Sequence, residues 1–122
     1  MSELLNLQFT FSRLLPRLLD EAHRLGYSIT LGEAYRTPEQ AKINAERGTG
    51  IGPSLHCSRL AIDLQLFREG RYLDTTEQYL ALGEFWEKLG LESSPPVPTA
   101  WGGRFQSRPD GNHFSIGYQG VR

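Results

Sequence analysis

Two histidines and a few carboxylates set the chemical possibilities of this sequence. They occur as Ser54-Leu-His56, Ala61-Ile-Asp63 and, fifty residues on from Asp63, Asp110-Gly-Asn-His113-Phe, preceded by Trp101-Gly-Gly. Two imidazoles and one carboxylate form a standard ligand set for a catalytic zinc ion, which keeps its fourth position open for water. The His-x6-Asp pairing is weak evidence alone. A single histidine is more often hydrogen-bonded or solvated than a ligand, and Asp63 could pair with an arginine instead. His23, between Ala22 and Arg24 on a helix flank, is expected at the surface. An offset of seven places His56 and Asp63 on opposite faces of any unbroken strand, so a shared metal requires a turn or bulge near Cys57 to Arg59.

Order and context distinguish these residues from chance. The run Ser54-x-His56-x4-Ala61-x-Asp63, then Trp101-Gly102-Gly103 and Asp110-x2-His113-Phe114, resembles the LAS metallopeptidases, in particular their L-alanyl-D-glutamate endopeptidase and D-alanyl-D-alanine carboxypeptidase branch. Tyr35-Arg36-Thr37-x2-Gln40 is similar to that branch's Tyr-Arg-Ser/Thr segment, and small phage endolysins are the nearest likeness. One departure stands out: Arg59 occupies a position where the family usually has glycine.

The resemblance implies that His56, Asp63 and His113 bind zinc and that Asp110 is the general base. A zinc-held water has a pKa near about 7, and a carboxylate beside it can take the proton and pass it to the leaving amine. The plainer reading of Asp110-Gly-Asn is a turn. Arg36 is similar to the family arginine that meets the substrate carbonyl oxygen. It could equally form an ion pair with Glu33 or Glu39. Gln40 is a candidate for orienting substrate, although a capping-box position explains it already, and Trp101 is a candidate for lining the cleft. The Gly102-Gly103 pair suggests a close backbone approach.

Elements must position these residues. Phe11, Leu14, Leu15, Leu18, Leu19, Ala22 and Leu25 recur at helical spacing ahead of Gly26, which predicts a helix over 8–25, kinked at Pro16 or beginning near it. Tyr27 to Leu31 reads as a short strand. Thr37 is a helix N-cap with Pro38 at N1, for a helix from Pro38 to Arg47 that stops at Gly48. After a glycine-bearing loop from Gly48 to Ser54, Leu60 to Phe67 alternates as a strand with Leu60, Ile62, Leu64 and Leu66 toward the core. Arg68-Glu-Gly-Arg71 suits a hairpin turn with Tyr72 and Leu73 returning. A helix is expected from Thr75 to Leu89, buried through Tyr79, Leu82, Phe85, Trp86 and Leu89 and ended by Gly90. A proline-rich loop follows, and a last strand spans Asn112 to Ile116.

The fold class expected is α+β, a small, mainly antiparallel sheet carrying the zinc site on one face with helices on the other, of the hedgehog and D-Ala-D-Ala peptidase type. At 122 residues a single zinc peptidase domain over 1–122 is expected. With a net charge of −1 and arginines interleaved with acids, nucleic acid is an unsuitable partner. Cys57 is the only cysteine, so no intrachain disulfide forms, and it is expected to be a small buried residue. The N-terminus lacks the form of a signal peptide, and no apolar run approaches the about 20 residues needed to span a membrane. The protein is therefore expected to be made in the cytoplasm, to be monomeric, and to reach the wall after release or as a phage component.

The expected activity is zinc-dependent hydrolysis of the L-Ala-D-Glu bond in peptidoglycan stem peptides. D-Ala-D-Ala carboxypeptidase action and a non-catalytic zinc-binding module are the alternatives.

Overall fold

The computed structural model describes residues 2–47 and 54–122, so the expected stop at Gly48 and most of the glycine-bearing loop lie outside the described residues. Helix α1 spans Glu3–Arg24, capped by the Ser2 hydroxyl, which accepts from Leu5 N–H at 3.1 Å. Its buried stripe is Phe11, Leu14, Leu18 and Ala22. The helix neither begins nor ends at Pro16. Pro16 and the preceding Ser12 both face solvent, where water can satisfy the carbonyl that proline leaves without a donor.

Strand β1 (Ser28–Leu31) leads to helix α2 (Pro38–Glu46), then come β2 (Ala61–Arg68) and β3 (Arg71–Tyr72). Glu69 and Gly70 join β2 to β3 with φ of 52° and 78°, the left-handed pair that a tight two-residue hairpin turn demands. A 3₁₀ turn (Thr76–Tyr79) precedes helix α3 (Leu80–Glu92), followed by β4 (Thr99–Trp101) and β5 (His113–Ile116). The strands are antiparallel in the order β1-β2-β5-β4, with β3 paired to the far end of β2.

Leu60, Ile62, Leu64 and Leu66 are all buried, in one cluster with Phe11, Leu14 and Leu18 of α1 and Leu82, Trp86 and Leu89 of α3. Trp86 also donates its indole N–H to the Ser115 carbonyl at 2.9 Å, fastening α3 to β5. Three expectations need correction. Helix α3 runs past Gly90 to Glu92: a Cβ at Gly90 would lie 2.1 Å from Thr99 Oγ1, so this glycine lets β4 approach rather than ending the helix. Phe85 packs only at the edge of the core. The proline-rich loop gives way at Thr99 to strand β4, which the sequence reading does not include.

Tyr79 is buried where the 3₁₀ turn meets β2. Its hydroxyl accepts from Leu66 N–H at 3.1 Å and donates to the Leu73 carbonyl at 2.8 Å. Burial, the largest influence, pushes this phenol up to about 12. The folded protein thus holds the neutral form more tightly than the unfolded chain, whose tyrosines titrate near about 10. This stabilisation is complete below the unfolded pKa and is lost as pH rises through the folded one. Tyr79→Phe leaves a buried N–H without its partner and should cost roughly 1–3 kcal/mol in urea unfolding at neutral pH. The variant should also lose part of the alkaline destabilisation, and an unchanged urea midpoint would show that water replaces the hydroxyl.

Candidate metal and active site

The register between β2 and β5 sets Asp63 directly opposite His113, Ile62 opposite Phe114 and Ala61 opposite Ser115. Residues directly opposite across a ladder share a face, so Asp63 and His113 project together, away from the helices that cover Ile62 and Phe114. On the other edge of β2, Gly32 N–H donates to Asp63 O at 2.8 Å and Asp63 N–H donates to Glu33 O at 2.9 Å, which carries the chain from β1 past the site toward Arg36.

His56 arrives on a single tight turn over residues 55–59. Ser54 Oγ accepts from His56 N–H at 3.1 Å, and the turn closes through Arg59 N–H to His56 O at 3.3 Å and Leu60 N–H to Leu55 O at 3.0 Å. That nested pair of bonds is a helix-terminating motif whose penultimate residue adopts the left-handed region, where glycine is usual. Arg59 holds this position with φ 56°. A side chain there costs about 1–2 kcal/mol, and the Arg59 guanidinium, 4.0 Å from the centre of the Tyr35 ring, returns part of it, about 0.5–1 kcal/mol at an exposed site. The turn near Cys57 to Arg59 expected from the sequence is present. Cys57 itself is half-buried rather than a core residue.

Ligand atoms of His56, Asp63 and His113 all lie within 4.8 Å of one another. His56 Nε2 stands 3.4 Å and His113 Nδ1 3.8 Å from Asp63 Oδ1, and both rings are buried. The far side of the His56 ring is oriented by the Ala34 carbonyl, 3.2 Å from Nδ1. Burial raises the Asp63 carboxyl, but the two imidazoles outweigh it and hold the group at about 2. Burial likewise lowers the His56 imidazole, yet Asp63 and the Ala34 carbonyl bring its pKa above the ordinary value. The cluster therefore favours positive charge at its centre. Asp63 Oδ1 is buried without a hydrogen-bond partner, an orphan acceptor facing two ring nitrogens. That donor set suits a zinc ion.

Asp110 reaches the same cleft on the loop between β4 and β5. Its N–H donates to Gly102 O at 2.8 Å, Phe105 N–H donates to the same carbonyl at 3.1 Å, and Asp110 O accepts from His113 N–H at 3.1 Å. A Cβ on Gly102 would sit 2.1 Å from Asp110 O and 2.8 Å from His113 Cβ, which explains the glycine after Trp101. Desolvation first, and then the negative charge of Asp63, raise the Asp110 carboxyl above its usual range.

Arg36 lines the cleft and is ion-paired with Glu33, with Nε to Oε1 at 2.9 Å and a second contact through Nη2. Gln40 does not line the cleft. Its backbone N–H is capped by Thr37 Oγ1 and its side chain donates to Asn44 at 2.7 Å, so only half of the expected capping box forms. Trp101 is also absent from the cleft lining. It is buried beneath the site, donates its indole N–H to Gly111 O at 2.6 Å, and lies against Gly83 and Gly103, where any Cβ would fall within 2.2 Å of the ring.

The cleft, about 770 Å³, also includes Ser54, Phe105, Arg108 and Arg122, of which only Ser54 belongs to a motif singled out from the sequence. Phe105 packs on His113 with ring centroids 5.4 Å apart. The loop carrying Phe105 and Arg108 has no periodicity or motif to mark it.

The sequence profile of an M15 peptidase family, described as D-alanyl-D-alanine carboxypeptidase, matches residues 47–116, more than half of the chain. The chain belongs to this family. Among curated proteins the peptidase has no significant match. Its fold is similar to the crystal structure of the Serratia marcescens L-Ala D-Glu endopeptidase ChiX, with a TM-score of 0.67 and 20% sequence identity over 84% of this chain and 77% of that one. The α+β architecture expected from the sequence is thus shared with a solved peptidase. Among the described residues, no helix of the peptidase is long and apolar enough to cross a membrane.

Proposed function

We propose that this peptidase hydrolyses the L-Ala-D-Glu bond of peptidoglycan stem peptides with zinc held by His56, Asp63 and His113, in the setting of a small phage-type lysin acting on the wall. The observation that carries the reading is the convergence of the two rings and the orphan Asp63 oxygen beside Asp110 in an open cleft. Zinc at that position supplies Lewis-acid polarisation of a carbonyl and of a water molecule. Asp110, unshared with any arginine, takes the proton from the attacking water and delivers it to the leaving amine. Arg36, fixed by Glu33, places positive charge where the carbonyl oxygen becomes negative.

The family profile's description favours a second reading, removal of a terminal D-Ala. Mass spectrometry of muropeptides after incubation of whole sacculi with the protein separates the two. Release of glycan that keeps L-Ala, with little free D-Ala from a pentapeptide, is expected. Free D-alanine as the main product, with the L-Ala-D-Glu bond surviving, would replace the first reading by the second.

A further inference from the structure

Three arginines line the cleft, and they are not equivalent. Arg36 is committed to Glu33, and the Arg122 guanidinium lies over the Phe105 ring, 5.6 Å from its centroid. Arg108 has no hydrogen bond, ion pair or ring contact among the described residues. Elsewhere Arg24 and Arg104 pair with Glu21 and Glu87, and Arg59 is stacked on Tyr35 and lies outside the cleft lining. Of the cleft's own carboxylates, Asp63 faces the histidines, and Asp110 forms no ion pair with Arg108.

The strand order gives Arg108 a defined side. Arg36 follows β1, which borders β2 on one edge, whereas Arg108 belongs to the β4–β5 connection on the other side of the Asp63–His113 pair, and both line the one cleft. An arginine left without a partner in a cleft gains nothing from the fold and loses hydration when a ligand covers it, unless the ligand brings an anion. Its planar fork matches a carboxylate through two parallel hydrogen bonds.

We propose that Arg108 is a specificity-determining residue that receives a free carboxylate adjoining the scissile bond, so that the preferred substrate is an anionic peptide. The proposal rests on the proposed peptidoglycan reading. That reading offers two sources of such a group: the α-carboxylate of a γ-linked D-Glu, and the C-terminal carboxylate of D-Ala-D-Ala.

The test is calorimetric binding to the zinc-loaded Asp110→Asn protein, in which the probes stay intact. One pair of probes is L-Ala-γ-D-Glu-L-Lys amide with its α-carboxylate free or amidated. The other is Lys-D-Ala-D-Ala with a free or amidated C-terminus. The free acid of the first pair should bind about tenfold more tightly than its amide. Adding Arg108→Gln should erase the difference and Arg108→Lys should restore part of it. The same Arg108-dependent difference in the second pair would support the proposal with the terminal carboxylate as ligand. A difference that survives Arg108→Gln, its absence from both pairs, or no measurable binding of either acid would overturn it. Hydrolysis of sacculi by the unaltered protein, scored separately, reports on the underlying peptidase reading.

Discussion

Alanine at His113 will leave a folded protein that no longer retains zinc or hydrolyses muropeptides. Three proposed ligands leave little redundancy, and each arrives from a different local structure: His56 from a closed turn, Asp63 from β2 and His113 from β5. The same loss is expected for His56→Ala and Asp63→Ala. Metal analysis after dialysis should show about one zinc per chain in the unaltered protein and almost none in the variants. His113 also touches the Phe105 and His56 rings, so circular dichroism should accompany the analysis to separate lost metal from lost fold. Undiminished zinc in any one variant removes that residue from the ligand set.

Asp110→Asn should keep the metal and the fold while turnover falls about 10²- to 10⁴-fold, the usual contribution of a positioned acid or base. The substitution preserves the backbone bonds that close the turn, Asp110 N–H to Gly102 O and His113 N–H to Asp110 O, and removes only the capacity to accept a proton. Near-normal turnover would place the base elsewhere, and loss of zinc would make Asp110 a ligand.

Much of the positioning framework was legible in the sequence because its periodicities are strong. The stripe through Phe11, Leu14, Leu18 and Ala22 and the alternation from Leu60 to Leu66 each bury one face, and burial is what periodicity records. The three metal-ligand candidates were legible through motif order, and their seven-residue offset also required the turn that ends at Arg59. What escaped depends on contacts distant in sequence. Gly90 resembles a helix terminator until Thr99 is seen against it, and Trp101 resembles a cleft residue until Gly83, eighteen positions earlier, is seen to accept its ring. Gln40 could not be placed because its partner, Asn44, lies on its own exposed helix. The strand β4 is only three residues long, too short to show alternation. Arg108 sits in a polar loop whose local sequence resembles any other.

Both ends of that loop are tied to one atom, since Phe105 N–H and Asp110 N–H donate to the same Gly102 carbonyl. The residues between them form a lip closed at its root, while Asp63 and His113 are paired across β2 and β5 and His56 rides on its own turn. Exchanging Gln106, Ser107 and Arg108 for other residues should therefore alter the rim of the cleft without disturbing the register of Asp63 and His113. Such a division marks the span from Gln106 to Arg108 as the place to graft or randomise when the selectivity of the cleft is to be changed and its histidine–aspartate cluster kept.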